Sequence, residues 1–182
     1  MSELLPGDVV VLRTGGHAGA TIRFGEWLQR KPDLRNHVAV VHHIEKGVRW
    51  YLEGRPGGVG WKAYPVDDDP YKTSSWTIDN SAQPKTSDQR KVVCLSMRRL
   101  LAAPYDWEAI EGDAAACLHL PDLWPRWKTG AMPGHVICSS SAAWAYTEAQ
   151  LAGPKTSSGE RLTEPSDWDL FIESKGWTAA AA

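Results

Sequence analysis

Residues 36–53 constrain the fold of this chain more than any other stretch. They read Asn36-His37-Val38-Ala39-Val40-Val41-His42-His43-Ile44, then Lys46-Gly47, then Arg49-Trp50-Tyr51-Leu52-Glu53. Two runs rich in β-branched and aromatic residues flank a glycine-containing break, which predicts an antiparallel hairpin. Period-2 alternation assigns His37, Ala39, Val41 and His43 to one face and Val38, Val40 and His42 to the other. His37 and Glu53 then lie on neighbouring strands, and register decides whether they meet.

The rest of the chain supplies layers for this hairpin. Pro6-Gly7-Asp8 is a turn signal before a buried strand, Val9-Val10-Val11-Leu12. Residues 21–29 have Ile22, Phe24 and Trp27 at inward-facing spacing for a short helix, which Gly25 weakens. Residues 54–60 read as a glycine-rich exit from the hairpin. Residues 66–85 read as an irregular loop with a short strand near Trp76-Thr77-Ile78. Asp67-Asp68-Asp69 lacks the glycine and terminal glutamate of a calcium loop and reads as a solvated acidic turn. Residues 88–101 predict a helix with Val92, Leu95 and residues 97–101 partly inward and Cys94 in the core. Residues 108–118 have helical character. Residues 119–134 hold three prolines, Trp124 and Trp127, and read as a lid, a groove wall or a packed surface excursion. Phe171-Ile172 marks a last short element, and residues 178–182 a frayed tail.

A chain of 182 residues is enough for one domain with its own core, here read as 1–182 with loop-rich insertions at 62–92 and 111–134. The net charge of −2 offers no electrostatic footing for nucleic acid or an anionic membrane. Three widely spaced cysteines, Cys94, Cys117 and Cys138, fit neither a disulfide framework nor a CxxC zinc site. The first residues lack the basic and apolar regions of a signal peptide, and no apolar run approaches membrane-spanning length. The expectation is a soluble protein, cytoplasmic or released by lysis or carried in a virion. Its oligomeric state is not legible.

The chemistry gathers around Cys138. It follows Val136-Ile137 and opens a predicted helix that ends near Gly153-Pro154. Ala142, Ala145, Tyr146 and Ala149 form one face of that helix, suited to packing on a sheet. The first turn of a helix carries unpaired N–H groups and the positive dipole end, which favour a thiolate, the nucleophilic form. A buried cysteine acting as a small hydrophobe is the alternative. A cysteine hydrolase also needs a base, a group to orient it and oxyanion donors. His37 fits the base and Glu53 its orienting partner. The Cys138 N–H and the Tyr105 hydroxyl fit the oxyanion, with Ser139 and Trp107 as neighbouring substrate-side residues. His42 or His43 remain alternatives to His37. Zinc on the histidines is disfavoured because alternation turns His42 away and no acidic or cysteine ligand is suitably spaced. No cofactor is expected.

The order of these parts resembles the circularly permuted branch of the NlpC/P60 superfamily of papain-like cysteine hydrolases, which includes YiiX-like and lecithin:retinol acyltransferase-like families. Pro6-Gly7-Asp8-Val9-Val10-Val11 resembles the family's PGD strand, and His37-Val38-Ala39-Val40 its histidine strand. Glu53 falls where the third triad residue stands. Pro104-Tyr105-Asp106-Trp107 resembles the tyrosine segment and Ile137-Cys138-Ser139-Ser140 the nucleophile helix. Thr163-Glu164-Pro165-Ser166-Asp167 resembles a segment that follows that helix in YiiX-like members. Ile137 replaces the usual aspartate, Ser140 and Ala39 replace glycines, and Glu53 replaces the more common histidine, asparagine or glutamine. The resemblance implies an α+β fold in which a small antiparallel sheet packs against the Cys138 helix, and a groove where Cys138 meets His37.

Three functions are compatible with this reading. The first is a thiol hydrolase of amide bonds acting through an acyl-enzyme, with cell-wall peptides as the substrates implied by the resemblance. The second is a lipid-directed thiol acyltransferase or esterase, with Trp124 and Trp127 lining an acyl channel. The third is a binding module that keeps the groove without the chemistry. A polar cleft beside Cys138 favours the first and a deep apolar tunnel the second.

Overall fold

The computed structural model describes residues 3–15, 35–74, 77–107, 136–154 and 163–177. The helices expected at 21–29 and 108–118, the segment with Trp124 and Trp127, Cys117 and the tail lie outside these residues. The architecture is α+β. Five strands, β1 (Val9–Leu12), β2 (His37–Glu45), β3 (Val48–Arg55), β4 (Gly58–Pro65) and β5 (Ile78–Asp79), form one antiparallel sheet in the order β4-β3-β2-β1-β5. The helices are α1 (Pro70–Thr73), α2 (Ser87–Arg99), α3 (Cys138–Glu148) and α4 (Pro165–Ser174).

The predicted hairpin forms with Ala39 opposite Glu53 and Val41 opposite Tyr51. Beyond Val41 it departs from simple alternation. A bulge shifts the register so that His43 pairs with Trp50. One extra residue reverses the facing of everything after it. His43 therefore stacks on Trp50 and meets Trp61 edge-on, on the face opposite His37, not on His37's face as alternation predicted. Residues 54–60 also differ from expectation. They are not an exit but the turn of a second hairpin, in which Gly54 pairs with Val59 and Arg55 with Gly58.

The two sheet faces pack differently. Val9, Val11, Val38, Val40 and Leu52 lie against Val93 and Met97 of α2, Cys138, Ala142, Ala145 and Tyr146 of α3, and Trp168 and Ile172 of α4. The whole predicted inner face of α3 is buried, as the helical spacing required. On α2 and its C-cap, Cys94, Met97 and Leu100 are buried as expected, but Val93 faces inward in place of Val92. Leu95 is 56% exposed. Thr86 caps α2, its hydroxyl accepting from the Gln89 N–H while the Gln89 side chain accepts from the Thr86 N–H.

The opposite face buries Val10, Leu12, Ala39, Val41 and Tyr51 under Leu4 and Tyr71. Tyr71 comes from α1, inside a stretch that reads as loop. Asp67 and Asp68 are exposed, but Asp69 is fully buried. Its Oδ1 caps α1 by accepting from the Tyr71 N–H at 3.0 Å. Its Oδ2 takes the Tyr51 hydroxyl at 2.7 Å and a short bond from Arg49. A buried arginine thus replaces solvent as the partner of the third aspartate.

Polar side chains fix α3 to the start of β1. Asn80 accepts from the Val9 N–H at 2.8 Å and donates to the Tyr146 hydroxyl at 2.8 Å, and Tyr146 donates to the Gly7 carbonyl at 2.7 Å. Lys85 and Arg90 both bind the buried Asp8 carboxylate. Among the described residues, no helix is long and apolar enough to cross a membrane.

Candidate active site

The site forms where the first residue of β2, the sixth of β3 and the first of α3 converge. His37 opens β2 opposite Leu12. The preceding Asn36 holds this strand start in place, accepting from the Thr14 N–H at 2.7 Å and donating to the Thr14 carbonyl at 3.0 Å. Glu53 points to the same face from β3, and its Oε2 accepts from His37 Nε2 at 2.8 Å. The register left open by the sequence therefore brings the two together.

Cys138 approaches from the other side of the strands. Gly54 faces the start of α3, and a Cβ there would lie 3.0 Å from the Cys138 nitrogen and 3.1 Å from its Cα. A side chain there would push the helix start back by a few tenths of an ångström. Cys138 is near enough to His37 to influence it by charge and by side-chain hydrogen bonding. With Nε2 on Glu53, Nδ1 is the nitrogen left for the sulfur.

These contacts decide the charge on His37. Its burial disfavours the cation, but the negative charge of Cys138, the hydrogen bond to it and the bond and charge of Glu53 together outweigh burial. The pKa rises from 6.5 to about 10. These contacts favour the imidazolium over the neutral ring. Burial pushes the Glu53 carboxyl up, but its bond to His37, the His37 charge, the Tyr71 hydroxyl and Arg55 bring it below the ordinary value.

Glu53 is held on both oxygens. Tyr71 donates to Oε2 at 2.9 Å, and Arg55 Nε sits 3.0 Å from Oε1. Arg55 also donates to the Trp61 carbonyl at 2.6 Å. Neither Tyr71 nor Arg55 stands out in the sequence. Arg55 follows Glu53 by two residues and so shares its face, a signal that the reading of 54–60 as an exit concealed. Tyr71 is recognisable only once Asp69 is seen as a helix cap followed by proline at the first helical position.

Tyr105 is brought alongside Cys138 by backbone pairing. It bridges Val136, with the Val136 N–H on the Pro104 carbonyl at 3.0 Å and the Asp106 N–H on the Val136 carbonyl at 3.1 Å. Gly58, at φ +102°, lies so close to the Ala103 carbonyl that a Cβ would sit 2.7 Å from that oxygen, which fixes the approach to Pro104-Tyr105. Burial, the charge of Cys138 and Asp106 all keep the Tyr105 hydroxyl protonated. A neutral phenol near enough to feel the Cys138 charge is a candidate donor for an anion developing there.

The remaining predicted site residues are placed less centrally. The Ser139 hydroxyl is buried and donates to the Thr163 carbonyl, and the Ser139 carbonyl accepts from Trp168 Nε1 at 3.1 Å, so this side chain ties α3 to α4. Trp107 is partly exposed and meets the Tyr105 ring edge-on. Ser140 accepts from the Ile137 N–H at 3.2 Å and donates to the Ile137 carbonyl at 3.1 Å, closing the turn before the helix. Trp124 and Trp127 lie outside the described residues. His42 and His43 face each other at 2.9 Å between ring nitrogens, away from Glu53, and burial together with the charges of His43 and Arg98 lowers His42 to about 4. Among the described residues, no three His, Cys, Asp or Glu side chains cluster as a metal would require.

No protein-family model matches the chain, and no curated protein matches it in sequence.

Proposed function

We propose that this protein is a thiol-dependent hydrolase of amide bonds, working through Cys138, His37 and Glu53 in a circularly permuted NlpC/P60-like, papain-like fold. One observation carries the proposal. A buried imidazole has a carboxylate on one nitrogen and a helix-start cysteine as its other electrostatic partner. That is the arrangement nucleophilic thiol catalysis needs.

In this mechanism the Cys138 thiolate attacks the substrate carbonyl carbon. The Tyr105 hydroxyl and the N–H groups at the start of α3 hold the resulting oxyanion. His37 gives its Nδ1 proton to the departing amine as the C–N bond breaks, leaving an acyl thioester on Cys138. Neutral His37 then takes a proton from water, hydroxide adds to the thioester, and the carboxylic acid leaves as the thiolate re-forms. Glu53 holds the imidazole in one orientation throughout, and Tyr71 and Arg55 hold Glu53. The charged side chains Arg13, Arg55 and Lys62 in the cavity beside the imidazole support a polar substrate over an acyl chain. The family resemblance makes cell-wall peptides the first substrates to try.

Labelling with iodoacetamide followed by peptide mass mapping tests the reading. Cys138 is expected to react first, because burial pushes the Cys94 thiol up to about 11. Cys138→Ala should abolish both fast labelling and peptide hydrolysis, and His37→Ala should slow labelling. Fast modification at Cys94 or Cys117 with Cys138 untouched would sink the assignment.

A further inference from the structure

A cavity of about 450 Å³ opens beside the imidazole, lined by His37, Glu53, Tyr71, Arg13, Arg55 and Lys62 among others. Neither Cys138 nor Tyr105 lines it. It lies on the Glu53 side of His37, away from the sulfur and the candidate oxyanion donors. Its charge is one-sided. Among the described residues that line it, Glu53 is the only carboxylate, and both its oxygens are already bound by His37, Tyr71 and Arg55.

Lys62 stands apart from this network. It sits on β4 opposite Tyr51, on the same face as Glu53, with Nζ 5.3 Å from the centre of the Tyr64 ring. Among the described residues it has no acidic partner. Arg55 uses Nε and Nη2 on Glu53 and the Trp61 carbonyl, and its side chain is 40% exposed. Arg13 lines the same cavity. A recess whose described lining carries Lys62, Arg55 and one fully engaged carboxylate favours an anion over a neutral or cationic group.

The geometry points to a carboxylate-binding recess beside the imidazole, in which Lys62 with Arg55 holds the anionic group of a small organic acid or an acidic peptide. Any role of that anion in catalysis rests on the hydrolase reading above, whereas the anion site itself does not.

Glutarate and its uncharged isostere glutaramide are suitable probes, titrated into the whole protein and followed by backbone amide chemical shifts. Glutarate is expected to bind at the cavity, shifting residues around Lys62 and Arg55, and glutaramide to bind roughly tenfold more weakly, as expected for loss of a charge-assisted bond. Lys62→Gln should reduce glutarate affinity roughly tenfold and Lys62→Glu should abolish it, while neither changes the rate at which iodoacetamide labels Cys138. Equal binding of the two probes, or unchanged glutarate affinity in Lys62→Glu, overturns the subsite. Glutarate bound at the cavity with Cys138 unreactive upholds the anion site and overturns the hydrolase reading instead, so the two failures are separate.

Discussion

The two faces of one sheet are built from alternate residues of the same strands, yet they are held by different physics. On the helix side Val9, Val11, Val38, Val40 and Leu52 meet α2, α3 and α4 through dispersion and apolar burial. On the other side Arg49, Tyr51 and Glu53, spaced two apart on β3, carry a buried polar chain. It runs from Arg49 through Asp69 and the cap of α1 to Tyr71, Glu53 and His37. The first face tolerates imprecise contacts because its attraction is non-directional. The second does not, since a buried charge that loses its partner keeps its desolvation cost. Alternation along β3 therefore places a directional network one residue away from a non-directional core. Cys138 belongs to the core side and His37 to the network side, and they meet where the strands begin and end.

Asp69→Ala tests this contrast most strongly. It leaves Arg49 buried beside no counter-ion, where Nε and Nη2 already have no partner among the described residues. It should destabilise the fold by about 4 kcal/mol in urea unfolding. It should also slow Cys138 labelling, because the cap that places Tyr71 is lost. Next comes the pH dependence of the His37 contact. Because its pKa is raised by folding, its contribution is fully present below pH 6.5 and is lost as pH rises through about 10. Glu53 has the opposite sign, contributing above its ordinary value of 4.5 and losing that contribution as pH falls below it. Unfolding midpoints of His37→Gln should lack the alkaline loss that the parent shows. Leu52→Ala, on the packed face, should cost about 3 kcal/mol and leave Cys138 labelling at the parent rate in the folded protein. Equal slowing in Leu52→Ala and Asp69→Ala would erase the distinction between the faces. The smallest change is expected for Tyr71→Phe, about 1.5 kcal/mol from one lost bond to a charged acceptor, read from the same unfolding curves.

The sequence made the centre of the sheet legible and its periphery much less so. Val9–Leu12 and the strand beginning at His37 were readable because valine-rich runs bounded by turn residues have few alternatives as buried strands. The inner face of α3 was readable from helical spacing alone. His37 and Glu53 could be placed on paired strands, but their meeting depended on a register that only the folded sheet fixes. The bulge after Val41 left no mark in composition, so His43 was assigned to the wrong face. β4 was hidden by glycines at 54, 57, 58 and 60, which read as loop. At Gly54 and Gly58 they answer to close backbone approaches instead. Asp69 looked like its two exposed neighbours, because no local pattern announces that an arginine twenty residues earlier will be buried against it.

Gly54 ties the site to manufacturing tolerance. The nucleophile and its base come from stretches of chain about a hundred residues apart, and no covalent link sets the gap between them. What sets it is bare backbone against bare backbone, at a point one residue beyond Glu53 and directly under Cys138. A residue with no functional group is therefore the spacer of the reaction centre. Transplanting this triad to another scaffold would need that clearance reproduced before any of the three side chains were chosen.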